Sequence, residues 1–177
     1  KNEQLVIQRL LESITTQTYH PIEIIVVDNK SIDKTRTIAK KFTKHVYTAG
    51  PERSAQRNYG AKKANGAFLF FLDADMELSK NVVAQSVKVI TKSAKIGMVI
   101  VPEISIAQKY WEKVKAFERS FYNEGGDEQI DAARFFKREI FALVGGYDEN
   151  ITGPEDWDLP EQIRLKGYKS ARIKAWI

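Results

Sequence analysis

Residues 68–72 read F-L-F-F-L, and Asp73 and Asp75 follow at once with only Ala74 between them. Five apolar residues in a row are too few for a helix core and suit a strand buried on both faces. A strand of that kind belongs inside an α/β sheet covered by helices on each side. Where it surfaces, carboxylates at positions two apart face the same side of an extended chain. They repel each other unless something positive lies between them, and a hard divalent cation with oxygen ligands fits that need. The C-terminal end of a central strand is also where open α/β sheets bind ligands. The pair could equally start a turn and cap the next helix. The direct abutment of Asp73 on the apolar run favours a metal or phosphate site.

The flanking sequence supports the same class. Val6, Leu10 and Ile14, with Ile7 and Leu11 beside them, make residues 3–16 an amphipathic helix. Residues 22–27 (I-E-I-I-V-V) read as a β-branched strand ending at Asp28. Ser31 or Asp33 is placed to cap the following helix, which carries Ile38 and Phe42. Residues 45–48 form a short strand, and 53–65 a helix rich in small residues. A helix over 80–92 is expected to be capped by Ser79, and 97–101 to be a buried strand. Strand alternating with helix is the rhythm of a mostly parallel sheet. Beyond Pro102, Tyr110, Val114, Phe117 and Phe121 recur at helical spacing with Trp111 adjacent and lysines opposite. That helix either packs on the core or lies against a membrane surface or acceptor. Residues 130–136 read as a strand, Arg138–Leu143 as a short helix, 153–159 as a loop leading into a helix to Lys166, and 169–173 as a last strand.

With 177 residues the chain has room for one domain with a proper core. It has no cysteine, so disulfides, thiolate catalysis and cysteine–zinc sites are excluded. Its two histidines, His20 and His45, argue against a histidine-rich metal site. The longest apolar run, residues 67–72, is far too short to span a membrane. The net charge of +5 comes from scattered lysines and arginines, which suit a solvated surface or attraction to phosphates or an anionic membrane face. No nucleic-acid-binding motif accompanies them.

Three acidic places stand out: Asp28 at one strand end, Asp73 and Asp75 at another, and Glu155-Asp156 in a Gly-Pro loop. Parallel neighbours put their C-terminal ends on one edge, so Asp28 and Asp73 can line a single crevice. Arg53 and Arg57 share a helical face, and guanidinium groups bind phosphate oxygens bidentately. Together these features describe a nucleoside diphosphate site. Glu155-Asp156 can supply a general base, or can simply suit the positive end of a helix.

In order, the chain carries Asn2-Glu3, Gln17-Thr18-Tyr19, I-I-V-V-D-N-K-S-I-D at 24–33, Arg57-Asn58-Tyr59-Gly60, F-L-D-A-D at 71–75, V-G-G-Y-D-E at 144–149, and E-D-W-D-L at 155–159. As an ordered set this resembles the family 2 glycosyltransferases, over nearly the whole chain. The resemblance implies a single GT-A domain over residues 1–177, an open, mostly parallel sheet flanked by helices. It implies that Asp28 binds the donor's base, Glu3 contacts the nucleotide and Arg57 lies near the nucleotide and diphosphate. Asp73 and Asp75 would be the D-x-D pair, touching ribose and holding Mg2+ or Mn2+ on the diphosphate. Asp156 would deprotonate the acceptor in an inverting displacement. UDP-sugar is the first expectation for the donor and GDP-sugar the second. The acceptor is a hydroxyl or a lipid phosphate, and the expected location is cytoplasmic, with contact to the cytoplasmic membrane face.

Departures from the family pattern accompany these matches. The strand that precedes Asn2-Glu3 in the family is absent, which would open the sheet centre and remove part of the donor pocket. C-terminal acceptor elements are expected to be missing too. Asn29 and Lys30 replace the acid and glycine of the common D-D-G-S pattern. The Q-x-x-R-W signature of processive synthases is not present, which favours single transfer. Two alternatives compete with this reading: a haloacid-dehalogenase-type phosphatase with Asp73 as nucleophile, and a non-catalytic sugar-nucleotide-binding fragment.

Overall fold

A computed structural model describes residues 1–104 and 133–177. The expected amphipathic aromatic helix around Trp111 falls outside these residues, as does the start of the strand expected over 130–136. In chain order the described elements are α1 (Ile7–Thr15), β1 (Val26–Asp28), α2 (Thr35–Ala39), β2 (Val46–Thr48), α3 (Arg53–Lys63), β3 (Phe68–Phe70), α4 (Val82–Ile90), β4 (Ile96–Ile100), β5 (Ala133–Lys137), α5 (Arg138–Leu143), α6 (Glu155–Leu165) and β6 (Lys169–Arg172). Each lies where the sequence pattern puts it, within a few residues at the ends. One expected cap is replaced, and the other falls to Asp33. Ser79 donates its hydroxyl to the Trp176 carbonyl instead of capping α4. Ser31 turns back to Asp28, while Asp33 accepts from the Thr35 amide and hydroxyl at the head of α2.

The strands form two sheets. β1 and β2 pair in parallel. The larger sheet runs β3-β5-β4-β6, with β4 and β6 parallel and β5 antiparallel to both of its neighbours. β3 and β4 therefore run the same way, as the βαβ rhythm requires, and β5 is inserted backwards between them. Its N-terminal end thus lies beside the C-terminal ends of β3 and β4.

Alternation along these strands builds a core on each face. Val99, Val101 and Phe135 join Val82, Val83 and Ile90 on the α4 side, where Ile173, Ala175 and Ile177 close the cluster. Met98, Ile100 and Phe136 point the other way, to Ile140, Phe141, Leu159 and Ile163 of α5 and α6. A third cluster, Ile7, Leu11 and Ala39, anchors α1 and α2 over β1.

β1 and β3 do not pair with each other. A cavity of about 810 Å³ lies between the two sheets, lined on one side by residues 22–28 and on the other by residues 67–75. Leu10, Leu11 and Ile14 of α1 and Gly60 and Ala61 of α3 complete its walls.

Candidate active site

The strand ends deliver the acids to this opening. Glu3, Asp28, Arg57, Asp73 and Asp75, scattered over 73 residues of sequence, all line the cavity, and Asp156 joins them through Arg57. Asp28 ends β1 and is buried; its two carboxylate oxygens accept from the Ser31 amide at 2.8 Å and the Ser31 hydroxyl at 2.5 Å. Lys30, with φ at 50°, makes the tight return possible. Glu3 opens α1: its carbonyl accepts from the Val6 and Ile7 amides, and its amide donates to the Thr35 hydroxyl.

Asp73 and Asp75 do not share an extended strand. The chain turns at Asp73, whose carbonyl accepts from the Met76 amide at 3.2 Å. The turn separates the two side chains: Asp73 points inward to cations, and Asp75 is exposed. Of the two alternatives open for this pair in the sequence, the turn is present, and both residues line the cavity.

Two guanidinium groups divide Asp73 between them. Arg57 donates to Oδ1 at 3.3 Å, and Arg134 donates to Oδ2 at 3.3 Å. Arg57 also donates to Asp156 Oδ1 at 2.6 Å, and Arg134 to Glu103. The result is a row of alternating charge, Glu103–Arg134–Asp73–Arg57–Asp156, along the C-terminal edge of the sheet. Burial by itself would lower the Arg57 pKa. The Asp156 and Asp73 carboxylates outweigh it and hold the guanidinium charged. Arg134 is held charged in the same way, by Glu103 and Asp73 against burial.

Tyr147 is the floor beneath Arg57, whose guanidinium carbon lies 5.1 Å from the ring centroid. The ring packs on Phe71 and Phe141. Burial, reinforced by Asp156, pushes the Tyr147 hydroxyl pKa up, so the group stays neutral. Asn58 fixes the loop that carries it: its amide nitrogen donates to the Tyr147 carbonyl and to Glu149, and its oxygen accepts from the Tyr147 amide. Gly146 has φ at +80°, and a Cβ there would lie 2.6 Å from the Asn58 oxygen, so the close approach needs a glycine.

Arg53 and Arg57, one turn apart on α3, meet the consecutive acids at the head of α6. Arg53 pairs with Glu155 at 2.8 Å and Arg57 with Asp156. Glu155 is buried and also accepts from the Gly153 amide, which makes it a helix-end residue, whereas Asp156 stays partly open to the site. Arg53 and Arg57, expected to face phosphate, are therefore both engaged by carboxylates.

Among the described residues, no three His, Asp or Glu side chains converge as a metal cage. Ions such as Mg2+ are commonly held by one or two carboxylates and the phosphates of a ligand. Asp75, an exposed carboxylate at the mouth of the cavity, fits that arrangement; Asp73, with both oxygens on guanidinium groups, fits it less well.

The glycosyl transferase family 2 model matches residues 1–145. The chain belongs to that family. A relative in Campylobacter jejuni, GalNAc(5)-diNAcBac-PP-undecaprenol beta-1,3-glucosyltransferase, is 33% identical over 87 residues, which are 44% of this chain and 28% of the relative. The mannosyltransferase PcManGT from Pyrobaculum calidifontis, solved with GDP-Man and Mn2+, superposes with a TM-score of 0.75 at 21% identity, over 95% of this chain and 50% of that one. TarS of S. aureus, solved with UDP-GlcNAc, gives 0.70 at 16% identity over 97% and 53%. The family 2 chain has the GT-A fold expected from its motifs, and it spans between about a quarter and about a half of the length of these relatives.

The sequence motifs did not pick out Arg134, Glu103 or Tyr147 as site residues. Tyr147 lay in a recognised motif without a role. Arg134 sits in the expected strand over 130–136, but nothing in the local pattern signals that this strand runs backwards.

Proposed function

We propose that this chain is the donor-binding and base-bearing part of an inverting glycosyltransferase. It would pass a sugar from UDP-sugar or GDP-sugar to an acceptor hydroxyl or lipid phosphate with help from Mg2+ or Mn2+. The observation that carries this is Arg57, which joins the D-x-D residue Asp73 to the base candidate Asp156 in one contact chain. A diphosphate arriving in the cavity competes with both carboxylates for Arg57. Once Arg57 turns to the diphosphate, the Asp156 carboxylate is free to meet the acceptor hydroxyl. Asp156 then takes the acceptor's proton, the acceptor oxygen bonds to the anomeric carbon, and the bond from that carbon to the diphosphate breaks. The metal, bound by Asp75 and the diphosphate, would stabilise the charge on the departing nucleoside diphosphate. Asp28 and Glu3, on the β1 side of the cavity, would take the base and nucleotide.

The Campylobacter relative's name, with its PP-undecaprenol substrate, supports a lipid-linked acceptor. Peripheral contact with the cytoplasmic membrane face belongs to the same proposal; no helix among the described residues is long and apolar enough to cross a membrane. Membership of family 2 replaces the phosphatase alternative, and both oxygens of its would-be nucleophile Asp73 are already bonded. Titrating UDP and GDP calorimetrically, with and without Mn2+, tests the proposal. Metal-dependent binding of one nucleotide, lost in Asp75→Ala, is expected. Absence of binding by the folded chain would count against the site. Donor hydrolysis that disappears in Asp156→Asn distinguishes an enzyme from a mere binder.

A further inference from the structure

Arg134 is a residue that stability alone does not explain. Its side chain is 8% exposed, inside a strand whose next two residues, Phe135 and Phe136, form core on either face. Well-packed apolar residues in place of such buried ions are often neutral or stabilising. Its placement also requires an irregularity in the sheet. Val99 of β4 pairs with Phe135, but the next residue, Ile100, pairs with Ala133, so Arg134 is the extra residue of a β-bulge. Bulges near active sites re-aim side chains. This one occurs where the antiparallel β5 reaches the C-terminal edge of β3 and β4, and it turns the guanidinium onto Asp73 Oδ2 and Glu103. Backbone pairing with β3 continues across it: the Arg134 carbonyl accepts from the Phe71 amide at 3.0 Å.

Resting on the donor-site reading above, we infer that Arg134 is a positioning residue for the nucleotide and metal site: it holds the Asp73 carboxylate by the oxygen that Arg57 does not use. With Arg134 in place, Asp73 is shared, and Arg57 keeps donors for Asp156 or a diphosphate. Without it, Asp73 draws more fully on Arg57, and the five-member charge row goes from one net negative charge to two. These effects act in opposite directions on the two ligands. An anionic nucleotide meets a less available Arg57 and a more negative site. A divalent cation alone meets a more attractive one. A residue that merely supported the fold would weaken both.

The test uses this chain with Arg134→Gln and Arg134→Lys, checked for folding by circular dichroism and thermal melting. Calorimetry measures UDP and GDP binding in saturating Mn2+ and, separately, Mn2+ binding without nucleotide. For Arg134→Gln, nucleotide affinity is expected to fall about tenfold while Mn2+ affinity rises a few fold. Arg134→Lys keeps the charge but cannot span Glu103 and Asp73 with a planar fork, so it is expected to leave Mn2+ binding unchanged and weaken the nucleotide. Parallel losses of both ligands, or nucleotide binding equal to the parent in either folded variant, overturn the inference. If Arg134→Gln does not fold, the lysine variant decides. A parent chain that binds neither nucleotide overturns the donor-site reading itself, and this inference with it.

Discussion

The Arg57 guanidinium donates to the Asp156 carboxylate at 2.6 Å, across 99 residues of sequence. The contact joins α3 to the head of α6, and Arg57 also holds Asp73. Replacing Arg57 by alanine takes the guanidinium from buried contact with Asp156 and leaves Asp73 held by Arg134 alone. The cost is expected to be about 2–4 kcal/mol in urea unfolding at neutral pH. Arg57→Lys should recover most of that stability but not nucleotide affinity, because an ammonium cannot serve two carboxylates or a diphosphate with parallel bonds.

Asn58 makes three hydrogen bonds to the loop that carries Tyr147 and Glu149. Asn58→Ala strands the Tyr147 amide and carbonyl in a buried place. A loss of about 2–4 kcal/mol is expected, read from the urea midpoint with an unchanged slope. Gly146→Ala, which collides with the same Asn58 oxygen, should cost about as much. Gly145→Ala has a similar positive φ but open space around it, so it should cost only about 1–2 kcal/mol of backbone strain. Equal effects at the two glycines would show that close approach to Asn58 is not what Gly146 provides.

The ion pair at the head of α6 sets a pH dependence. Burial tends to raise the Glu155 pKa, but the helix-end amides of Glu155 and Gly153, with Arg53, outweigh it and hold the carboxyl below its ordinary value. A carboxyl with a lowered folded pKa adds stability that is complete above the unfolded value and lost as pH falls through the folded one. Glu155→Gln is therefore expected to destabilise the chain by about 1–2 kcal/mol at neutral pH, with the difference shrinking as pH falls through and below the ordinary carboxylate range. Denaturant midpoints of both proteins across that range provide the check. A constant offset would mean that packing, not charge, is what Glu155 contributes.

The cavity between β1 and β3 makes its own prediction. Apolar walls on both sides and strand edges without mutual pairing suit an extended segment of about six residues with alternating apolar side chains. Joined ahead of Lys1, such a segment is expected to raise the melting temperature by several degrees, whereas a polar segment of equal length should not. Equal melting temperatures would show that the space is not shaped for a strand.

Much of this architecture was legible in the sequence because the signals are local. The apolar run at 68–72, the β-branched stretch before Asp28 and the helical spacing of Val6, Leu10 and Ile14 each report their own burial. The acids at strand ends were legible because parallel topology gathers strand ends. The cations were harder to place. Arg57 was found through a motif, but its partners Asp73 and Asp156 lie 16 and 99 residues away. Arg134 could not be found, since its role depends on a strand inserted in reverse and on a bulge, and neither leaves a mark in nearby residues. The two-apart spacing of Asp73 and Asp75 misled, because the chain leaves the extended conformation at Asp73 and period-two geometry ends there.

With no backbone ladder between β1 and β3, the two halves of the domain are coupled through α1, α3 and the charge row. α1 itself is divided, with Leu10 packed in the main core and Ile7 and Leu11 in the small one. In amide exchange, β1, β2 and α2 should therefore open as a unit of lower free energy than β4 and β5. A ligand gripping Asp28 on one side and Arg57 on the other would act as a clasp, and its affinity would appear as slowed exchange in strands it never touches.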